Sequence, residues 1–231
     1  MTLIFMYKKS IKISGILVGL MFFGVAAGAL AHQPRLVFDQ EISADDPVVI
    51  KNPEISQAYY GKLKGAPDYY QIAVEKDFDL YVNILVPAEE TARPSFSISR
   101  GGEVFFLADG QQTDWEPFFE KFAGDNYLQG AEFKLPVGAG EYEVKVFSTD
   151  NYGRYALAVG QREKFGLGEI VKTLVALPKL KTAFFGQSVW EAYFNQAGLY
   201  LGVLLLAIAG PIILVVWLIN KIKKQKRGRA D

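Results

Sequence analysis

Leu135-Pro136-Val137-Gly138-Ala139-Gly140-Glu141-Tyr142-Glu143-Val144-Lys145-Val146, then the turn Asp150-Asn151-Tyr152-Gly153, then Arg154-Tyr155-Ala156-Leu157-Ala158-Val159, decides the fold class. Tyr142, Val144 and Val146 alternate with Glu141, Glu143 and Lys145, and Tyr155, Leu157 and Val159 alternate with Ala156 and Ala158. A period of two places successive side chains on opposite faces, which is a strand and not a helix. Each such strand is expected to have one dry and one wet side, and a turn separates the two.

The same period extends upstream. Tyr70, Ile72 and Val74 alternate with Tyr69, Gln71 and Ala73; Leu80, Val82, Ile84 and Val86 alternate with Tyr81, Asn83 and Leu85; Ser95-Phe96-Ser97-Ile98-Ser99 alternates throughout. Lys64-Gly65-Ala66-Pro67, Pro87, Gly101-Gly102 and Gly138-Ala139-Gly140 punctuate the strands. Short strands at this spacing predict an all-β, jelly-roll-like antiparallel β-sandwich of about seven to nine strands. Tyr60, Tyr70 and Leu80 are expected to face its core.

Two stretches resemble the bacterial pre-peptidase C-terminal (PPC-like) domain. Gly61-Lys62-Leu63 through Asp68-Tyr69-Tyr70-Gln71-Ile72-Ala73-Val74, with Leu80 to Pro87, is similar to that family's opening strands. Leu135 to Val159 is similar to its closing hairpin. The resemblance spans about residues 56–160 and rests on fold-determining residues. It implies a sandwich without an active site that serves in binding or secretion. No peptidase domain lies within this chain, and an apolar span follows, so no ligand carries over.

The segment 101–130 departs from that pattern. Asp114-Trp115-Glu116-Pro117-Phe118-Phe119-Glu120-Lys121-Phe122 reads as a short helix capped near Asp114, with Pro117 in its first turn. Trp115, Phe118, Phe119, Phe122 and Tyr127 would then cluster, either as a lid on the sandwich or as a partner surface, since rings offer large contact area at small entropic cost.

Gly198 to Ile219 is a run of 22 uncharged, mostly apolar residues. As a helix it is ~33 Å long, enough to cross a hydrocarbon core of roughly 30 Å. Lys221, Lys223, Lys224, Lys226, Arg227 and Arg229 follow at once and predict a cytoplasmic tail, because short loops rich in Lys and Arg stay inside. Met1 to Ala31 carries Lys8, Lys9 and Lys12, an uncharged run and Ala29-Leu30-Ala31, the pattern of a signal peptide cleaved before His32, with an uncleaved anchor as the alternative for a 19-residue apolar run. The middle of the chain is thereby expected outside. Between sandwich and span, residues 165–197 combine helical apolar spacing with Trp190, Tyr193 and Phe194. They suit an amphipathic connector at the headgroup layer or a partner-helix site, the alternative being a helix pair packed on the sandwich, with Tyr200 and Trp217 as further interface anchors.

The chain has 25 Lys and Arg against 25 Asp and Glu, but the balance is local. Setting aside the three N-terminal lysines, the six tail cations and Asp231 leaves 16 cations and 24 acids, so the exported region is about −8. Nucleic acid is an unsuitable partner for such a domain, since phosphate binding needs a basic surface. The absence of cysteine excludes disulfides, thiolate metal sites and a lipidated cysteine.

Catalytic patterns are missing. His32 is the only histidine, which excludes a two-histidine copper brace and His-dependent triads. No G-x-G-x-x-G follows a strand, and no Walker loop or nucleophile elbow appears. Asp109, Asp114 and Asp125 offer hard oxygen ligands on loops, a possible calcium site; no other cofactor is expected. Tyr59, Tyr69 and Tyr81 form a candidate exposed row that could stack on a glycan.

The expected organisation is a signal peptide (1–31), a PPC-like β-sandwich (32–164), a helical connector (165–197), a transmembrane helix (198–219) and a basic tail (220–231). Its expected function is non-enzymatic: a single-pass envelope protein that binds or scaffolds a membrane or secreted partner and contacts the bilayer. The alternative is a glycan-binding or adhesion module.

Overall fold

The computed structural model describes residues 32–164 and 166–227. The expected signal segment and Arg229 lie outside the described residues. Eleven strands form two sheets: β1 (Gln33–Leu36), β2 (Val48–Val49), β3 (Gln57–Lys64), β4 (Asp68–Val74), β5 (Phe78–Pro87), β6 (Ser95–Arg100), β7 (Glu103–Ala108), β8 (Glu116–Glu120), β9 (Asp125–Val137), β10 (Gly140–Phe147) and β11 (Tyr152–Val159). One sheet runs β1-β3-β11-β5-β9-β8 and the other β2-β4-β10-β6-β7. Pairing is antiparallel except at β1–β3 and β2–β4. The all-β sandwich is therefore as predicted, with more strands than the alternation alone suggests. β1 and β2 are short, and β8 lies in the segment expected to be helical.

The inner faces interlock as the period of two requires. Tyr70, Ile72, Leu80, Val82, Phe96, Ile98, Val144, Val146, Tyr155 and Leu157 are all shut from solvent. Two phenols sit in this core without loss because they bond each other: the Tyr70 and Tyr155 hydroxyls lie 2.7 Å apart, and Tyr155 donates to Asp68 Oδ2 at 2.5 Å. Burial pushes the Asp68 carboxyl up to about 6, against the lowering effect of Tyr155 and Lys64. Gly61 makes room for this network, since a Cβ there would lie 2.3 Å from the Tyr155 ring. At the β6–β7 turn, Gly101 and Gly102 have φ of 59° and 84°, conformations that residues with a Cβ disfavour.

The six-stranded sheet is covered on its outer face too. After α1 (Leu167–Lys179) comes a π-helical turn, Leu180–Phe184, and a 3₁₀ turn, Val189–Ala192. Phe184 stacks edge-on against Tyr60 at 5.1 Å, and Phe185 against Tyr127 at 5.4 Å. Tyr60 thus belongs to the outer layer and not to the inter-sheet core where the alternation puts it; β3 is dry on both sides, and burial alone cannot then say which face is inward.

The C-terminal segment is a single helix, α2 (Gln196–Arg227), with Pro211 inside it. Its stretch Gln196–Ile222 is long and apolar enough to span a membrane. Near its end the Lys221 ammonium lies 4.9 Å from the Trp217 ring centre, a cation–π pair one turn apart.

Candidate functional site

The connector is built into the sandwich by polar clamps as well as rings. Lys181 Nζ donates to Asp125 Oδ1 at 2.6 Å and to the Ala123 carbonyl at 2.7 Å. Arg154 of β11 donates to the Phe184 carbonyl at 2.7 Å and pairs with Glu90 at 2.8 Å. Lys179 pairs with Asp39, and Asn195 donates to the Ala123 carbonyl at 2.9 Å. Leu177, Leu180 and Phe184 are buried, so this part of the connector packs on protein. Trp190 (66 % exposed), Tyr193 and Phe194 (85 %) stay open to solvent. Tyr200 is half-buried and Trp217 exposed on α2.

Within the segment 114–122, residues Glu116–Glu120 form a strand, and none of the segment is helical. β8 pairs with β9 from Glu116↔Gln129 to Glu120↔Asp125 and forms the sheet edge, where a proline such as Pro117 is tolerated because an edge N–H has no obligatory partner. The aromatic cluster is divided accordingly. Trp115 is fixed in place: its indole donates to the Gly110 carbonyl at 2.8 Å, Arg93 covers its ring at 5.5 Å, and Gly130 lies close beneath it. Tyr127 is buried beneath Phe185, and Phe122 is half-buried. Phe118 and Phe119 remain exposed.

Across from them, β7 is the edge of the other sheet, and Val104, Phe105 and Leu107 are exposed along it. Phe106 packs against Phe133 of β9 at 4.8 Å, which places the two edges on the same side of the sandwich. That side carries five large apolar side chains in water beside two open strand edges, a feature monomeric sandwiches usually blunt.

The tyrosine row does not form. Tyr59 points into the core, edge-on to Tyr70 at 5.6 Å, and its hydroxyl donates to Gln57. Tyr69 belongs to the other sheet, beneath Lys145. Tyr81 is on the outer face of β5, donating to Glu132 at 3.2 Å. Tyr59 and Tyr60 exchange the expected roles because the strand is dry on both faces.

Asp109, Asp114 and Asp125 are not brought together. Asp109 accepts from the Gln111 backbone and the Gln112 side chain, while Asp125 is consumed by Lys181. Among the described residues no three His, Asp or Glu side chains converge as a metal site would need. His32 faces Ser56, with Nδ1 2.6 Å from Oγ, and burial lowers its basicity.

A feature the sequence pattern missed lies at the opposite side, where the edge strands β1 and β2 meet the start of α1. An open groove of about 740 Å³ is bounded there by both edges and by Arg162, Lys164, Gly166, Glu169 and Lys172. Its floor is a fixed polar network. The Arg35 guanidinium donates to Gln33 Oε1 at 2.5 Å, to Gln57 Oε1 at 3.3 Å and to Glu169 Oε2 at 3.0 Å. Gln33 and Gln57, both buried, are anchored in turn on the Lys164 and Lys51 carbonyls. The hydrogen bond from Lys172, and behind it Arg35, hold the Glu169 carboxyl below the usual range. The clustering of Arg162, Lys164 and Lys172 was visible in the chain, but Arg35 and Lys51 reach them only through the parallel pairings of β1 and β2.

The sequence matches no protein-family model and no curated protein. Among solved structures, the chain is similar to the pre-peptidase C-terminal domain of collagenase from Bacillus anthracis, at 10 % identity and TM-score 0.33, covering 52 % of this chain and 96 % of that one. It is also similar to CorA, described as a surface-associated copper-binding protein important in copper acquisition in Methylomicrobium album BG8, at 8 % identity and TM-score 0.29, covering 52 % and 98 %. The sandwich assigned to this chain rests on its own two sheets.

Proposed function

We propose that this chain is a non-enzymatic, single-pass envelope protein whose exported PPC-like sandwich binds or scaffolds another membrane or secreted component. The observation that carries this reading is the pair of open edges, β7 and β8, with Val104, Phe105, Leu107, Phe118 and Phe119 in water on one side. Open edges with apolar side chains are what a partner strand or surface covers. The apolar helix Gln196–Ile222 supports an anchor in the bilayer, and the cations from Lys221 onward support a cytoplasmic end. The alternative glycan reading drew on Tyr59, Tyr69 and Tyr81 as one row; with Tyr59 in the core it loses that motive.

The test is photo-crosslinking in native membranes with a reactive residue at Leu107 or Phe119, followed by mass spectrometry. A discrete envelope protein captured at both positions, and lost on Phe105→Lys, is the expected result. Capture of lipid alone, or of nothing, rejects the reading.

A further inference from the structure

We propose that the groove between β1, β2 and the start of α1 binds a small amphiphilic phosphate ester, its phosphate at the lysine rim and its organic part along the apolar wall. The first support is charge segregation. Of the 16 cations in the exported region, Arg35, Lys51, Arg162, Lys164 and Lys172 line this groove; of its 24 acids, Glu169 alone does. On a domain of net charge about −8 this is a local inversion of sign, and it focuses anions.

The charges are also divided by rigidity. Arg35 is locked against Glu169, and Arg162 pairs with Glu54 at 3.1 Å. Lys51 and Lys164 are exposed, and neither takes part in an ion pair among the described residues. Lys172 shares Glu169 with Arg35 and keeps most of its side chain in water. Flexible ammonium groups at a rim suit a phosphate approached as a point charge, while a preoccupied guanidinium disfavours a planar, bidentate carboxylate.

Shape supplies the third support. The volume of about 740 Å³ falls in the range of roughly 300–1,000 Å³ typical of small-molecule sites. Leu36, Val48, Val49 and Ile55 provide an apolar wall, with Val49 more than half exposed. An inorganic ion would leave that wall in water; an ester with a short carbon chain would cover it. The same chemistry is offered by a phospholipid headgroup with its glycerol and by a soluble phosphate ester. This proposal does not depend on the partner reading, which concerns the other side of the sandwich.

Calorimetric titration of the full chain in an uncharged detergent tests it, with hexyl phosphate, inorganic phosphate and hexanol as probes. Saturable binding of hexyl phosphate, at least about tenfold tighter than inorganic phosphate and absent for hexanol, is expected. Lys51→Glu with Lys164→Glu should weaken hexyl phosphate by about tenfold or more, and Val49→Asp should erase its advantage over inorganic phosphate. Lys134→Glu, an exposed charge reversal outside the groove, should change nothing. Hydrogen exchange in nanodiscs separates the sources. Protection of residues 48–57 on adding phosphatidic acid to a phosphatidylcholine disc indicates lipid, and protection only on adding hexyl phosphate indicates a soluble ester. The proposal is overturned by absent or non-saturable hexyl phosphate binding, by equal affinity for inorganic phosphate, or by an equal loss in Lys134→Glu.

Discussion

Lys181 and Asp125, 56 positions apart in sequence, meet at 2.6 Å with side chains 1 % and 0 % exposed. One belongs to the π-helical turn after α1 and the other opens β9, so the pair fastens the segment after α1 to the sheet. Burial holds the Asp125 carboxyl above its usual value even though Lys181 opposes the shift. Removing one partner strands a charge in a dry site.

Lys181→Met should therefore destabilise the sandwich by roughly 3–5 kcal/mol, whereas Lys181→Met with Asp125→Leu should recover most of the loss. Urea unfolding followed by tyrosine and tryptophan fluorescence measures both. A single variant as stable as the parent would show that the pair contributes nothing.

Gly61→Ala forces the Tyr155 ring to move, because the new Cβ would lie 2.3 Å from it. The ring is bonded to Tyr70 and Asp68 and has little freedom. A loss of roughly 1–3 kcal/mol is expected, read as a lower denaturation midpoint at unchanged slope.

Asp68 titrates in the folded chain at about 6, above its ordinary 3.8. A raised pKa means that the native state holds the proton more tightly, so this group's stabilisation is complete below about pH 4 and fades as pH rises through 6. Asp68→Asn removes that titration. Between pH 4 and pH 7 the parent should lose roughly 2 kcal/mol relative to the variant, seen in paired denaturation curves. Parallel pH profiles for the two proteins would contradict this origin.

Protease added to intact spheroplasts should digest the sandwich and leave the basic tail protected, detected with an epitope after Asp231. Protection of the sandwich until lysis would reverse the expected orientation.

Phe118→Ser and Leu107→Lys, on exposed edges, should each change stability by no more than about 0.5 kcal/mol while abolishing partner crosslinks. A large stability loss would mean that these side chains serve the fold instead.

Local chemistry alone determined the sheet class and the long apolar helix near the C-terminus. Alternation at 142–146 and 155–159 requires two-sided strands whatever surrounds them, and an uncharged run of 22 residues can satisfy its backbone only as a helix in an apolar medium. Tertiary contacts decided the rest. Residues 116–120 have no strong helical bias, and pairing with β9 makes them a strand. Tyr59 faces inward and Tyr60 outward because Phe184, more than 120 residues later, closes over the second face. The basic groove exists because parallel pairing of β1 and β2 brings Arg35 and Lys51 beside Arg162, Lys164 and Lys172. Which face is dry, and which distant charges become neighbours, depends on long-range packing that carries no periodic trace along the chain.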